Sequence, residues 1–366
     1  LIILCIFAFL FDKTRPICYA ETREENAMKS GVTIQDIADA LGLSRNTVSK
    51  VLNGKYVPAR TRNAVLNAAI EMGYKSYRTV AATDSEFTHK KILLLSSRLI
   101  LNINYYVVIM RGIESMLEDY DVELIQFTLS SSSSFTKLAN YLNNYKIDGI
   151  ICMEFFEPET MPALVELGYP VVFLDFPLIH RDLRGKYDII LPENFDAVKN
   201  LCTDLIENKK CRSFGFVGDY KHCRSFYERF LGMRESMFLA DLPVDLQYSV
   251  LRQDTFPYGN AKELRGALCS LAALPDCFIA ANDTIALALL DALRAMRIKV
   301  PDEIKVIGFD NIAESKSSNP PLTTFNVDKM AMGKRLITML LERINDPMQR
   351  SRLIYIKSKP VIRSST

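Results

Sequence analysis

Apolar residues at Ile34, Ile37, Ala38 and Leu41 recur at i, i+3, i+4 and i+7, the spacing that gives a helix one apolar face. Thr33, with Asp36 three positions on, has the form of a capping box, and Gly42 stops the helix. A second helix follows. Ser44 caps it, Val48, Val51 and Leu52 form its inner face, and Asn53-Gly54 ends it. A third turns Val65, Ala69 and Met72 inward and stops at Gly73. Ala38 lets two helices cross closely, Gly42 takes a positive φ in the turn, and branched Val48 locks the second helix. The pattern predicts a helix-turn-helix.

Beyond a polar linker at 75–91 the period changes. "ILLL" at 92–95, "VELIQFTL", "DGIICM" and "PVVFLDF" are short apolar runs of strand length. They alternate with helical stretches such as "YYVVIMRGIESMLEDY", "LANYLNNYK" and "MPALVELG". The alternation resumes from Asn194 with "FDAVKNLCTDLIENK", "SFGFVG", "YERFLGMRESMFLA", "CFIA", "DTIALALLDALRAM" and "IKVIGFD". Strand and helix in turn build parallel βαβ units. Two α/β halves therefore predict a cleft at the carboxyl ends of their strands, where small ligands bind. The serines at 130–134 are read as a loop.

Charge sharpens the reading of the first unit. The whole chain carries only +2, yet residues 28–80 hold eight basic and three acidic residues. With the inner face of the second helix fixed, its outer face is Arg45, Asn46, Ser49 and Lys50. Arg and Lys match the guanine O6/N7 edge, Asn matches adenine, and hydroxyls match phosphate oxygens. That helix is predicted to face the major groove of double-stranded DNA.

Other chemistry adds little. Eight cysteines (Cys5, Cys18, Cys152, Cys202, Cys211, Cys223, Cys269, Cys277) form no C-x-x-C pair and read as reduced core thiols. The histidines His89, His180 and His222 are scattered, and no metal site, catalytic triad or cofactor is implied. No G-x-G-x-x-G follows a strand, which counts against a dinucleotide enzyme. At 366 residues and 49% hydrophobic, the chain is long enough for two or three domains. The first eleven residues are apolar, too few to span a bilayer, and "CYA" at 18–20 has the form of a cleavage site. No basic stretch precedes them, and Met28 stands just before the first patterned helix. Residues 1–27 therefore read as sequence upstream of a start at Met28, in a cytoplasmic, nucleoid-associated protein with no membrane partner.

The helix-turn-helix is followed by "KVLNGKYVPARTR…GYK". Beyond it come "MRGIE", "DGII", "PVVFLD", "ANDTIALALLDALR", "VPDEIKVIGFDN" and "PPLTTFNVD", in that order. From Gly31 to Thr366 the chain closely resembles the lactose-repressor (LacI/GalR) family of bacterial transcription factors. The resemblance implies a leader at 1–30, a DNA-binding domain at 31–76, a linker at 77–90 and an effector domain at 91–366 of periplasmic-binding-protein fold. It implies chain crossings between lobes near Leu191, Asn319 and Leu341. Lobe 1 is then about 91–191 with 320–340, and lobe 2 about 192–318 with 341–366. It puts base reading on Arg45, Asn46 and Lys50, and phosphate contacts on Ser44, Thr47, Asn53, Tyr56 and Thr61. Effector positions fall on Tyr105, Tyr106, Asp175, Arg229, Phe256, Asn282 and Asp310, whose chemistry suits a sugar: carboxylates and an amide for hydroxyls, Arg as anchor, aromatics for the ring face. A homodimeric, effector-controlled repressor of a carbohydrate operon is implied.

Two departures stand out. The family's hinge segment, of the type "RPNxxARxL", has no counterpart in "KSYRTVAATDSEF", which weakens the expectation of a leucine wedge in the minor groove. Pro58 stands where a hydroxyl cap of the third helix is usual. The competing reading, an exported sugar-binding protein, fits the apolar leader and the lobes but leaves residues 31–76 without a purpose.

Overall fold

The computed structural model describes residues 32–52, 57–74, 89–97, 104–129, 135–156, 160–178 and 187–366. The apolar leader, most of the linker, the serine run, Asn53 and Tyr56 lie outside them.

Three short helices form the first unit: α1 (Ile34–Leu41), α2 (Arg45–Leu52) and α3 (Ala59–Glu71). The Thr33–Asp36 capping box is made in both directions, and Gly42 adopts φ 65° to turn the chain. Ala38, Val48 and Val65 are fully buried at the crossing of the three helices, with Val51, Leu52 and Ala69 around them. The Ser44 hydroxyl accepts the Thr47 backbone N–H at 3.1 Å and so caps α2. Pro58 has no hydroxyl to offer α3, and its carbonyl accepts the Arg62 N–H at 2.9 Å.

The first lobe is built on β1 (Lys90–Ser96), α4 (Asn104–Tyr120), β2 (Val122–Thr128), α5 (Phe135–Tyr145), β3 (Gly149–Met153), α6 (Thr160–Glu166), β4 (Val171–Leu174) and β5 (Tyr187–Pro192). The second follows with α7 (Phe195–Asn208), β6 (Phe214–Val217), α8 (Arg224–Leu239), α9 (Ala261–Cys269), β7 (Cys277–Ala280), α10 (Asp283–Ala295), β8 (Lys305–Ile307), α11 (Glu314–Ser317) and β9 (Thr324–Val327). The chain ends with α12 (Lys329–Asn345), β10 (Leu353–Ile356) and β11 (Ser358–Val361).

The lobe 1 sheet has the order β10-β5-β4-β3-β1-β2 with every pair parallel, and β3 and β4 are buried along their whole length. Buried parallel strands need apolar side chains on both faces, which is why these segments read as unbroken apolar runs rather than alternating ones. The lobe 2 sheet is β6-β7-β8, extended by single parallel bridges from Val250 and Thr323. The doubly wound α/β class read from the sequence is the one observed.

The crossings between lobes lie elsewhere than expected. The first falls at 192–194, close to Leu191, but the second is at 327–329 and the third at 356–358, not at Asn319 and Leu341. Asn319 stays in lobe 2, where its carbonyl accepts from Arg294 and the following Thr323 bridges Ile307. Leu341 lies inside α12, whose Gly333 packs backbone-to-backbone on Ile109 and Gly112 of α4, and β10 then pairs with β5. Residues 329–356 thus belong to lobe 1. The second and third crossings pair antiparallel as β9 and β11. At the first, the Glu193 N–H donates to the Ile356 carbonyl at 2.7 Å. The three crossings therefore form one hydrogen-bonded hinge.

Candidate functional site

On the DNA side, Ser44, Arg45, Asn46 and Lys50 are exposed, and Thr47, Ser49 and Thr61 are half-buried at the edge of the three-helix core. Inward Val48 and Val51 set the roll of α2, so its polar residues have to face out. The Ser44 and Thr47 hydroxyls are 2.8 Å apart, which holds both side chains at the start of the helix.

Between the lobes lies a cavity of about 1130 Å³, and all seven expected effector positions line it. Tyr105 and Tyr106 come from the first turn of α4, their rings edge to face at 5.1 Å. Asp175 follows β4, Arg229 projects from α8, Phe256 sits in the segment before α9, Asn282 caps α10, and Asp310 follows β8. Asp175 and Asp310 stand just past the ends of parallel strands and adopt φ 64° and 110°, a region that costs a non-glycine residue energy. That cost is tolerated where the chain has to aim a carboxylate into the cleft.

Arg229 is 3% exposed and held on three sides. Its Nε donates to Asn194 Oδ1 at 2.9 Å and its Nη1 to the Ala281 carbonyl at 2.5 Å. Nη2 lies 3.7 Å from Asp310 Oδ1, and the guanidinium rests 3.6 Å from the Phe309 ring centroid. Burial pushes the Asp310 carboxyl up to about 6 despite the neighbouring Arg229 and Lys329 cations, with Asp175 adding to the rise. Behind it, burial and then the Asp310 charge raise Asp283 to about 7. Asp175, also raised by burial, accepts the backbone N–H groups of Phe176 at 2.7 Å and Ser225 at 3.2 Å. Asn282 Oδ1 is committed to the Ile285 N–H at 3.0 Å, so its amide NH₂ is the part left to face a ligand.

In the lining of the cavity, or packed behind it, stand residues the sequence reading passed over. Glu154 is buried and accepts a short hydrogen bond from the Tyr106 hydroxyl. His222, read as scattered, pairs through Nδ1 with Asp254 and sets its ring edge-on to Phe156 at 4.6 Å, lobe 2 against lobe 1. Burial depresses the imidazole, but the bond to Asp254 and the Asp254, Glu154 and Asp175 charges outweigh it, and the net shift is upward. Asn194, fully buried at the first crossing, orients Arg229 while donating to Pro192, Ser225 and Glu228. Lys329, at the second crossing, is buried and donates to the Asp310 carbonyl. A lone His, Asn or Lys carries no periodic signal. Only the position of Asn194 just after the first crossing could have marked it.

Residues 33–76 match the family of bacterial regulatory proteins, lacI family, and residues 203–366 match the periplasmic binding protein-like domain. The HTH-type transcriptional regulator DegA of Bacillus subtilis (strain 168) is 31% identical over 300 residues, which cover 80% of this chain and 85% of DegA. The HTH-type transcriptional regulator GalR of Lacticaseibacillus casei is 28% identical over 341 residues, 91% of this chain and 99% of that protein. Among solved structures, a complex of the transcriptional regulator CelR with cellobiose superimposes with a TM-score of 0.68 at 23% identity, covering 92% of this chain and all of the other; the likeness is one of fold. Three helices that carry a basic outer face, joined to two lobes around a polar cleft and matched along most of their length by such relatives, place the chain in the lacI family of bacterial transcriptional regulators.

Proposed function

We propose that this regulator binds operator DNA as a homodimer and answers to a sugar held between its lobes. It is read as the repressor of a carbohydrate operon. One observation carries the reading: Tyr105, Tyr106, Asp175, Arg229, Phe256, Asn282 and Asp310, drawn from six separate stretches of both lobes, converge on a single cavity. Carboxylates and amide groups there suit vicinal hydroxyls, and the rings of Tyr105 and Phe256 suit the C–H face of a pyranose. Arg45, Asn46 and Lys50 read base edges. Ser44, Thr47, Ser49, Asn53, Tyr56 and Thr61 hold phosphates. In a dimer the two heads meet half-sites about one helical turn apart, and closure of the cleft alters their separation.

The DNA-binding family match at 33–76 favours a regulator over an exported binding protein. Among the described residues no helix is long and apolar enough to cross a membrane. The test is a titration of the purified full chain with neutral mono- and disaccharides, followed by an operator-binding assay with whichever sugar binds. A sugar that binds and also shifts operator affinity supports the reading. Binding without any effect on DNA would overturn the regulatory part.

A further inference from the structure

Resting on that reading, we infer that the effector carries no phosphate or carboxylate: the cleft is built for an uncharged polyol and rejects the phosphorylated form of the same sugar. Seven carboxylates line the cavity, against two permanent cations, Arg229 and Lys221. Neither cation stands unopposed at the centre of the cleft: the charge of Arg229 is matched by Asp310, and Lys221 lies at the rim. Arg229 already serves Asn194, the Ala281 carbonyl and Asp310. Lys221 is exposed at the rim, its ammonium 5.6 Å from the Tyr220 ring centroid. The third basic group, His222, is paired with Asp254.

Phosphate in α/β proteins is commonly bound at helix N-termini, because free backbone N–H groups and the helix dipole point at it. Of the helices that start at this cleft, which also include α4 and α9, α8 and α10 have N–H groups of the first turn already taken by protein acceptors. The Arg224 N–H donates to the Phe176 carbonyl at 2.7 Å and the Ser225 N–H to Asp175 Oδ1 at 3.2 Å. At α10 the Asp283 N–H donates to the Phe309 carbonyl at 2.8 Å, and Asn282 Oδ1 takes the Ile285 N–H at 3.0 Å. Asp175 moreover places a carboxylate at the start of α8, where an anionic ligand would sit. Hydroxyl groups face no such obstacle, since each donates to a carboxylate as readily as it accepts from an amide.

The experiment is calorimetry on the full chain with matched pairs: glucose and glucose 6-phosphate, galactose and galactose 1-phosphate, ribose and ribose 5-phosphate, with cellobiose and its phosphorylated form added. The neutral member of the pair that binds should do so at least about 100-fold more tightly than its phosphate, since like charges brought together in an interface are disfavoured by several kcal/mol. Equal or tighter binding of a sugar phosphate overturns the inference while leaving a sugar effector intact. If neither form of any sugar binds, the sugar reading falls and takes the inference with it. D254K, at a side chain 51% exposed on the cleft rim, supplies a cation and should narrow the ratio about tenfold. An unchanged ratio would show that the acidic lining is not what selects.

Discussion

At the scale of single residues, the proposed effector site rests on Arg229 and Asp310, a buried ion pair in the lining of the cleft. Losing a hydrogen bond to a charged partner costs about 1.5–3 kcal/mol, or roughly 10- to 100-fold in affinity. Arg229→Ala and Asp310→Ala should each weaken effector binding by that factor and abolish the effector response, while operator affinity stays near wild type because α1–α3 form a separate core. An unimpaired response in both variants would remove these residues from the site. Asp310 adds a pH dependence whose sign is fixed. Its carboxyl titrates near 6 among Arg229, Lys329 and Asp175, so it is charged at pH 7.5 and largely protonated at pH 5. A protonated carboxyl accepts fewer hydroxyl hydrogen bonds, and effector affinity should fall as pH drops through 6. In Asp310→Asn that dependence should vanish, leaving only what His222 and Asp283 contribute. For folding the sign is opposite: Asp310 and Asp283, raised above their unfolded values, bind more protons when folded. They penalise the native state at high pH, and the penalty is relieved as pH falls through about 7 and 6.

At the scale of elements, α2 and the β5–α12–β10 seam make separate predictions. On α2, Arg45→Ala, Asn46→Ala or Lys50→Ala should each relax one operator position, at about 1–3 kcal/mol of lost discrimination per base contact. Thr47→Ala should weaken specific and non-specific DNA together. A selection of operator variants against each mutant decides between these outcomes, and unchanged preference in Arg45→Ala would displace α2 from the groove. In lobe 1, Asp188 of β5 is fully buried between Arg343 of α12, at 2.7 Å, and Arg352 at the edge of β10, at 2.9 Å. Burial would raise its carboxyl, but the two guanidiniums win and hold it below the usual range. Its contribution is therefore present at neutral pH and lost only as pH falls below about 4. Asp188→Ala strands a buried arginine and should cost about 3–5 kcal/mol in denaturant melts at pH 7. This seam explains what was legible in the sequence. Helices α1–α3 and strands β1, β3 and β4 announce themselves because a period of 3.6 or an unbroken apolar run follows from local burial alone. The assignment of 329–356 to lobe 1 does not, because it depends on Arg343 and Arg352 finding Asp188, 155 and 164 residues away, and on Gly112 and Gly333 letting α4 and α12 touch. The cleft followed the same division: its strand-end aspartates were readable, whereas Glu154, His222 and Asn194 become visible only when the two lobes face each other.

At the scale of the whole molecule, the question is what couples ligand to lobe movement. The lobes share one hinge, the β9–β11 ribbon with the first crossing beside it, and they meet again at the mouth of the cleft. There the Asn104 amide of α4 donates to Glu314 Oε1 of α11 at 2.6 Å, Phe156 meets His222, and the start of α8 hydrogen-bonds to Asp175 and Phe176. Asn104 and Glu314 belong to different lobes, so opening the cleft would break their bond. A ligand that closes the cleft draws on that bond, and removing it should raise the ligand concentration needed for closure. The pair is solvent-exposed, which limits its worth to about 0.2–1 kcal/mol, or roughly 1.4- to 5-fold in effector affinity. A double-mutant cycle with Asn104→Ala, Glu314→Ala and both together isolates the coupling, because each single change should have nearly the effect of the double. Small-angle scattering with and without effector supplies the geometry: the wild type should contract on binding, and the double mutant should need more effector for the same contraction. Strictly additive single effects would mean that these residues do not meet in the liganded state, and would shift the latch to the Phe156–His222 contact deeper in the cleft.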